Sequence, residues 1–150
     1  MGGLGGSFRY RPLPMVGLDV GVDLFAGRDF IGDSRREAVL SGSSLLYFNS
    51  RDPVQSYLLA GVSVARAYVD HQREGRRGRS EYAYFGGQLG LGLEWHLRER
   101  LAVSLDLLGF LRGRTDSGAD QDPEFIRAET GVTTNTSGGG LLRVGTTFYF

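Results

Sequence analysis

The sequence predicts an all-β protein, an antiparallel up-and-down β-barrel, and three observations carry that reading. Apolar residues recur at every second position in segment after segment, the period of a strand with two unlike faces. The connections between these segments alternate short and long, as in a meander of antiparallel neighbours with two unlike ends. No uncharged run exceeds 13 residues, and 38–50 and 130–142, two of that length, are rich in Gly, Ser and Thr, well short of the roughly 18 residues that a transmembrane helix needs.

Seven segments carry the pattern, in order. Over 3–11, Leu4, Phe8 and Tyr10 oppose Ser7, Arg9 and Arg11. Over 15–27, Val16, Leu18, Val20, Val22 and Leu24 oppose Gly17, Asp19, Gly21 and Asp23. Segments 37–48 and 54–69 are strand-like in composition but apolar or small on both faces. Over 85–97, Phe85, Leu89, Leu91, Leu93, Trp95 and Leu97 oppose Gly86, Gln88, Gly90, Gly92, Glu94 and His96. Over 101–113, Leu101, Val103, Leu105, Leu107 and Leu111 oppose Ala102, Ser104, Asp106 and Arg112. Leu97, Leu101, Leu105 and Leu108 also recur at helical spacing, but a helix would put Val103, Leu107 and Leu111 on the wrong face. In the last segment Leu142, Val144, Thr146, Phe148 and Phe150 oppose Leu141, Arg143, Gly145, Thr147 and Tyr149. The connections are then 12–14, 28–36, 49–53, 70–80, 98–100 and 114–136.

Composition bounds the function. Glycine makes up 24 of 150 residues, more than twice the usual share of about 7%. With 4 Pro the chain is neither collagen-like nor a disordered Pro/Gly tail. Seventeen basic residues, all of them Arg, balance 17 acidic ones, so no charge excess calls for nucleic acid. The absence of Cys excludes disulfides, Fe–S clusters, thiol nucleophiles and Cys-based zinc sites.

Alternation leaves open whether the apolar face turns inward or outward. A soluble lipocalin-like barrel carrying an apolar ligand would turn it inward, whereas a membrane barrel turns it outward against lipid. Three features favour lipid. The polar face carries Arg9, Arg11, Asp19, Asp23, Glu94, Asp106, Arg112 and Arg143, a balanced set able to pair across a narrow lumen. That face is also small, with Gly17, Gly21, Gly86, Gly90, Gly92 and Gly145, as a tight closed interior requires and an open solvent face does not. The aromatics fall into two bands: Tyr47, Phe48, Tyr57, Trp95, Phe148, Tyr149 and Phe150 near the short turns, and Phe25, Tyr68, Tyr82, Tyr84 and Phe110 near the long loops. Such bands resemble interfacial girdles. Arg66, on the lipid side near the long loops, is placed to snorkel.

The run Gly138-Gly-Gly-Leu-Leu-Arg-Val-Gly-Thr-Thr-Phe-Tyr-Phe150 resembles the closing strand of small bacterial outer-membrane barrels of the OmpA-type class. Val54-Gln-Ser-Tyr-Leu-Leu-Ala-Gly-Val-Ser-Val is similar to that family's x-Pro-Tyr-Leu-x-x-Gly-x-Gly strand, with Ser56 for the Pro and Ser63 for the second Gly. The resemblance implies an eight-stranded membrane domain in the bacterial outer membrane, and makes Phe148 and Phe150 the signal read by the barrel-assembly machinery. Single-chain bacterial barrels have an even strand number, and seven are visible here. Met1-Gly-Gly-Leu-Gly-Gly lacks the charged start and apolar core of a signal peptide. Residues 1–150 are therefore expected to form one barrel domain lacking its signal peptide and first strand.

Candidate chemistry is sparse. The glycines of 86–92 lie within one strand, not at the strand-to-helix turn of a phosphate loop. His71 and His96 fall at opposite ends of the barrel and share no metal. His96, Glu94 and Ser104 have the residue types of a hydrolase triad; lipid-trimming barrel enzymes, however, carry their sites on the outer wall, and these residues face inward, where a polar plug is the plainer reading. Arg73, Arg76, Arg77 and Arg79 form a basic loop whose guanidinium forks suit lipopolysaccharide phosphates, or else a solvated loop. Asp116, Asp120, Asp122 and Glu124 fit no rigid calcium loop. Asn135-Thr-Ser reads as turn chemistry. The expectation is a monomeric outer-membrane barrel with a plugged lumen, in contact with membrane lipid and lipopolysaccharide. It has a structural or surface-interaction role, with no catalysis and no cofactor. The soluble lipid carrier is the alternative, and a barrel-embedded lipid-modifying enzyme is third.

Overall fold

The computed structural model describes residues 1–28, 32–73, 76–118, 125–126 and 133–149; at 71–73, 76–77, 125–126, 133 and 148 the backbone alone is described. Seven long strands follow the period-two segments: β1 (Gly2–Leu13), β2 (Val16–Arg28), β3 (Ser34–Tyr47), β4 (Val54–Arg73), β5 (Arg76–Arg98) and β6 (Leu101–Arg114), then, after two short strands β7 (Phe125–Ile126) and β8 (Thr133–Thr134), β9 (Thr136–Phe148). The long strands form one sheet in the order β1-β2-β3-β4-β5-β6-β9, and β7 pairs with β8 apart from it. Every neighbouring pair is antiparallel.

The sheet is an up-and-down meander curled into a half-barrel. Its edge strands approach one another without pairing. A cleft of about 360 Å³ lies between them, lined by Ser7, Arg9, Asp23, Ser104 and Arg143 among others. Because β9 is seventh in an alternating series, β1 and β9 run in the same direction.

The apolar face points outward on every long strand. Leu91 is 60% exposed and Leu107 is 61%, and Leu18, Val20, Val22, Leu24, Leu89, Leu93, Leu105, Leu142 and Val144 stand exposed beside them. The alternate positions Arg9, Asp19, Glu37, Gln55, Glu94, Ser104 and Asp106 are buried. This arrangement inverts that of a water-soluble protein.

Two expectations fail in detail. Residues 70–80 do not form a long loop, because β4 and β5 pair to the tip, with Asp70 opposite Arg79 and Arg73 opposite Arg76. The strands outlast the hydrophobic pattern since polar cross-strand pairs replace apolar ones: Arg79 Nε donates to Asp70 Oδ1 at 2.9 Å, and Tyr68 Oη donates to Glu81 Oε1 at 3.4 Å. Connection lengths therefore do not alternate strictly. The unlike ends come instead from this overshooting hairpin and from the connection after Arg114.

The aromatic bands also divide by face. Tyr47, Tyr57 and Tyr84 are fully buried, and Tyr82, Tyr149 and Phe110 share the inward face. The outward aromatics include Phe8, Tyr10, Phe48 and Trp95 towards the short turns and Tyr68 and Phe85 towards the other end. The inward tyrosines supply hydroxyls to buried charges, a role that apolar girdle positions do not offer.

Candidate functional site

The inward face of the curled sheet carries two ionic layers separated by an apolar one. The layer nearer the short turns is built around Glu94 on β5, which is 0% exposed. Arg9 Nη1 donates to Glu94 Oε2 at 2.6 Å, and the hydroxyls of Tyr149 and Tyr47 donate to the same carboxylate. Arg11 lies 3.9 Å away. Arg9 also reaches Asp19 through Nε at 3.1 Å. Arg143 lies between Asp106 at 2.8 Å and Asp19 at 3.6 Å, and Tyr57 donates to Asp106. Arg11 donates to Gln55 at 2.7 Å and stacks over Tyr47 at 3.9 Å. Three guanidiniums thus meet three carboxylates, the compensation that buried charge requires.

Leu45, Leu59, Gly90, Leu108 and Leu141 stand in register across β3, β4, β5, β6 and β9 and form the apolar layer. Glycine is required in this interior. A Cβ at Gly92 would overlap the Tyr57 ring, and one at Gly90 would overlap Leu108. Beyond the apolar layer Glu37 accepts from Arg112 Nη2 at 3.1 Å and from Arg35 Nε at 3.2 Å. Arg35 Nη2 bonds the Tyr84 hydroxyl at 3.1 Å, and Arg112 lies 4.6 Å over the Tyr84 ring.

Of the eight charges read from the sequence, Arg9, Arg11, Asp19, Glu94, Asp106 and Arg143 come together in the first layer. Arg112 belongs to the second layer with Arg35 and Glu37, and Asp23 lines the cleft between β1 and β9. Arg35, Glu37, Tyr47, Tyr57, Tyr84 and Tyr149 were not legible as members. Arg35 and Glu37 fall where the apolar pattern of β3 begins, and the tyrosines read as girdle residues.

Glu94 stands opposite Ser104, and His96 Nε2 lies 2.9 Å from Glu94 Oε1, off the line of a hydrogen bond. The His96 ring stacks on Tyr149 at 5.3 Å. The carboxylate is already occupied by Arg9 and two tyrosines, so it is poorly placed to orient a catalytic imidazole. The glycines of 86–92 lie inside β5.

Where β6 ends, Arg114 packs inward over the Tyr82 ring at 4.6 Å, and Asp116 accepts from Arg114 at 2.7 Å and from the backbone N–H of Ala83 and Gly118. The Arg114 fork, aided by those amides, holds the Asp116 carboxyl down at about 2. Asp120, Asp122, Glu124 and Phe150 lie outside the described residues. Among the described residues no three His, Asp or Glu side chains are grouped as a metal site. Phe148 ends β9 opposite Leu101. Arg73, Arg76 and Arg77 flank the tip of the β4–β5 hairpin, and Arg79 is paired with Asp70.

No protein-family profile matches the chain, and neither does any curated sequence. Among solved structures, the chain is similar to Neisserial surface protein A (NspA), with a TM-score of 0.61 at 16% identity over 99% of this chain and 81% of that one. At that identity the likeness is one of fold, and the fold is an all-β, antiparallel, up-and-down curled sheet.

Proposed function

We propose that this chain is the membrane-spanning barrel of a bacterial outer-membrane protein, with a structural or surface-interaction role, a plugged lumen and no catalytic site. The observation that carries the reading is the inversion of faces, with leucines and valines outward and paired charges inward. From Trp95 to Phe85 the outward face of β5 bears only apolar side chains and Gly87. Ten residues span about 33 Å along a strand, or about 25 Å in height at a barrel strand's tilt, which is the height of a lipid-facing band. The inward leucines form a single layer packed against one another and bounded on both sides by Arg, Asp, Glu and Tyr, which weighs against the soluble carrier. The apolar layer between two ionic layers plugs the interior against bulk flow.

Unpaired strand edges are not tolerated in hydrocarbon. Since β1 and β9 run the same way, antiparallel closure requires one more strand between them. Phe148 and Phe150 are the assembly signal in this reading, and the hairpin tip presents Arg73, Arg76 and Arg77 to surface lipopolysaccharide. The test is to express the protein with its natural upstream sequence, fractionate the envelope and run unboiled gels. A heat-modifiable monomer band in the outer-membrane fraction is expected. A water-soluble protein carrying an apolar ligand would overturn the reading.

A further inference from the structure

The outer wall carries a feature that a purely structural barrel does not need. At the long-loop border of the apolar band, Ala38, Arg66 and Ala83 stand in one row across β3, β4 and β5, with Leu40, Val64 and Phe85 in the next row towards the band. The two alanines leave a hollow of about 470 Å³, lined by Val22, Ala38, Leu40, Val64, Arg66, Ala83 and Phe85 among others. Below it Gly42 and Gly87 flank Val62, and a Cβ at Gly42 would meet nothing within 4 Å. The wall here is concave, apolar and continuous with the lipid-facing band.

Cations crown this hollow. Arg66 is 72% exposed, and its nearest acid is Glu81 at 4.0 Å, at the outer limit of an ion pair. Arg36 stands opposite Tyr68 in the row above, which makes it a diagonal neighbour of Arg66, about 7–8 Å away. Arg36 is exposed and has no ion pair among the described residues. The other acid on this part of the wall, Asp70, is paired with Arg79. Two guanidiniums with little local compensation thus sit directly above an apolar hollow. Guanidinium forks match phosphate oxygens.

We propose that this hollow binds one phosphate-bearing lipid of the surrounding leaflet. Its phosphate lies on Arg36 and Arg66, and an acyl chain lies against Ala38, Ala83, Val64 and Phe85. The proposal rests on the membrane reading above. It explains why small residues replace leucine at Ala38 and Ala83, where the belt would otherwise continue, and why Arg36 and Arg66 stand on the lipid side of the wall.

The test uses the full chain with its natural upstream sequence, folded in uncharged maltoside micelles and titrated with phosphatidic acid while lipid adducts are counted by native mass spectrometry. Parallel titrations use diacylglycerol and inorganic phosphate. One phosphatidic acid adduct per barrel is expected, weakened at least tenfold in Arg36→Gln/Arg66→Gln and also in Ala83→Leu, which fills the hollow. Arg98→Gln, exposed at the short-turn end of β5, is expected to leave it unchanged. Diacylglycerol and millimolar phosphate are expected neither to bind nor to compete. Undiminished binding in both sets of variants, equal binding of diacylglycerol, or displacement by inorganic phosphate would each overturn the site. Should the double variant misfold, Arg36→Gln alone carries the charge test, with a several-fold loss expected and no loss overturning the site. A folded barrel without a selective adduct sinks this site alone, whereas a chain that forms no micelle-bound barrel sinks the membrane reading and the site with it.

Discussion

Removing the charge of Glu94 is the sharpest perturbation of the interior. Glu94 is wholly buried, with Arg9 at 2.6 Å, His96 Nε2 at 2.9 Å and the hydroxyls of Tyr47 and Tyr149 bonded to it. Glu94→Gln keeps the shape and leaves three guanidiniums, Arg9, Arg11 and Arg143, facing two carboxylates, Asp19 and Asp106. Breaking a buried pair by neutralising one partner costs about 3–5 kcal/mol. Arg9 keeps Asp19 at 3.1 Å, which points to the lower end, about 3 kcal/mol, or roughly a hundredfold in the unfolding equilibrium. The assay is urea unfolding of the folded barrel in detergent, followed by Trp95 fluorescence. Glu81→Gln is the control, since that side chain is 56% exposed and 4.0 Å from Arg66, and its loss is expected to cost below about 1 kcal/mol. Adding Arg9→Met to Glu94→Gln is expected to cost less than the sum of the two changes, because the neighbours share one network. A Glu94→Gln barrel within about 0.5 kcal/mol of wild type, the level of an uninvolved surface substitution, would refute the reasoning.

Four further outcomes follow from the same geometry. Leu91→Arg, in the middle of the outward band, is expected to cost about 2–4 kcal/mol in bilayers, against about 0–1 kcal/mol for Leu97→Arg near its lower rim; equal costs in urea titrations would contradict the band. Gly92→Ala drives a methyl into the Tyr57 ring, which is held by Asp106 and Arg9, and is expected to cost about 1–3 kcal/mol. Gly42→Ala, in open space, is expected to be neutral or to gain up to about 1 kcal/mol by restricting the unfolded chain. Asp116 has a depressed carboxyl, from 3.8 to about 2, so its stabilising contribution is full above pH 3.8 and is lost as the pH falls through about 2. The gap in urea midpoint between wild type and Asp116→Asn is therefore expected to stay constant at neutral pH and to close between about pH 4 and 2; a gap that widens on acidification contradicts the pairing.

The strands of this protein were legible where leucine and valine mark every second residue, as from Val16 to Leu24 and from Leu89 to Leu97. There one face must leave water or meet lipid, and a slip of one residue would reverse both faces. Where polar side chains pair across strands, as at Asp70 and Arg79, hydropathy carries no period and the hairpin was read as a loop. Tyrosine misled for a related reason: its ring suits a membrane interface and its hydroxyl suits a buried carboxylate, so the types of Tyr47, Tyr57 and Tyr149 do not declare their face. Arg112 was grouped with the Glu94 layer because parity fixes the face but not the height. Six residues separate it from Asp106, about 20 Å along the strand.

The central claim is that the outward face meets hydrocarbon, and the single tryptophan reports on it directly. Trp95 is 58% exposed on the outer wall near the short turns. With the protein folded into vesicles, its emission is measured against lipids carrying a quencher at graded acyl depth and against aqueous acrylamide. Blue-shifted emission, quenched most by labels just below the headgroups and little by acrylamide, is the expected result. Emission typical of water, open to acrylamide and indifferent to every lipid-borne label, would contradict the account.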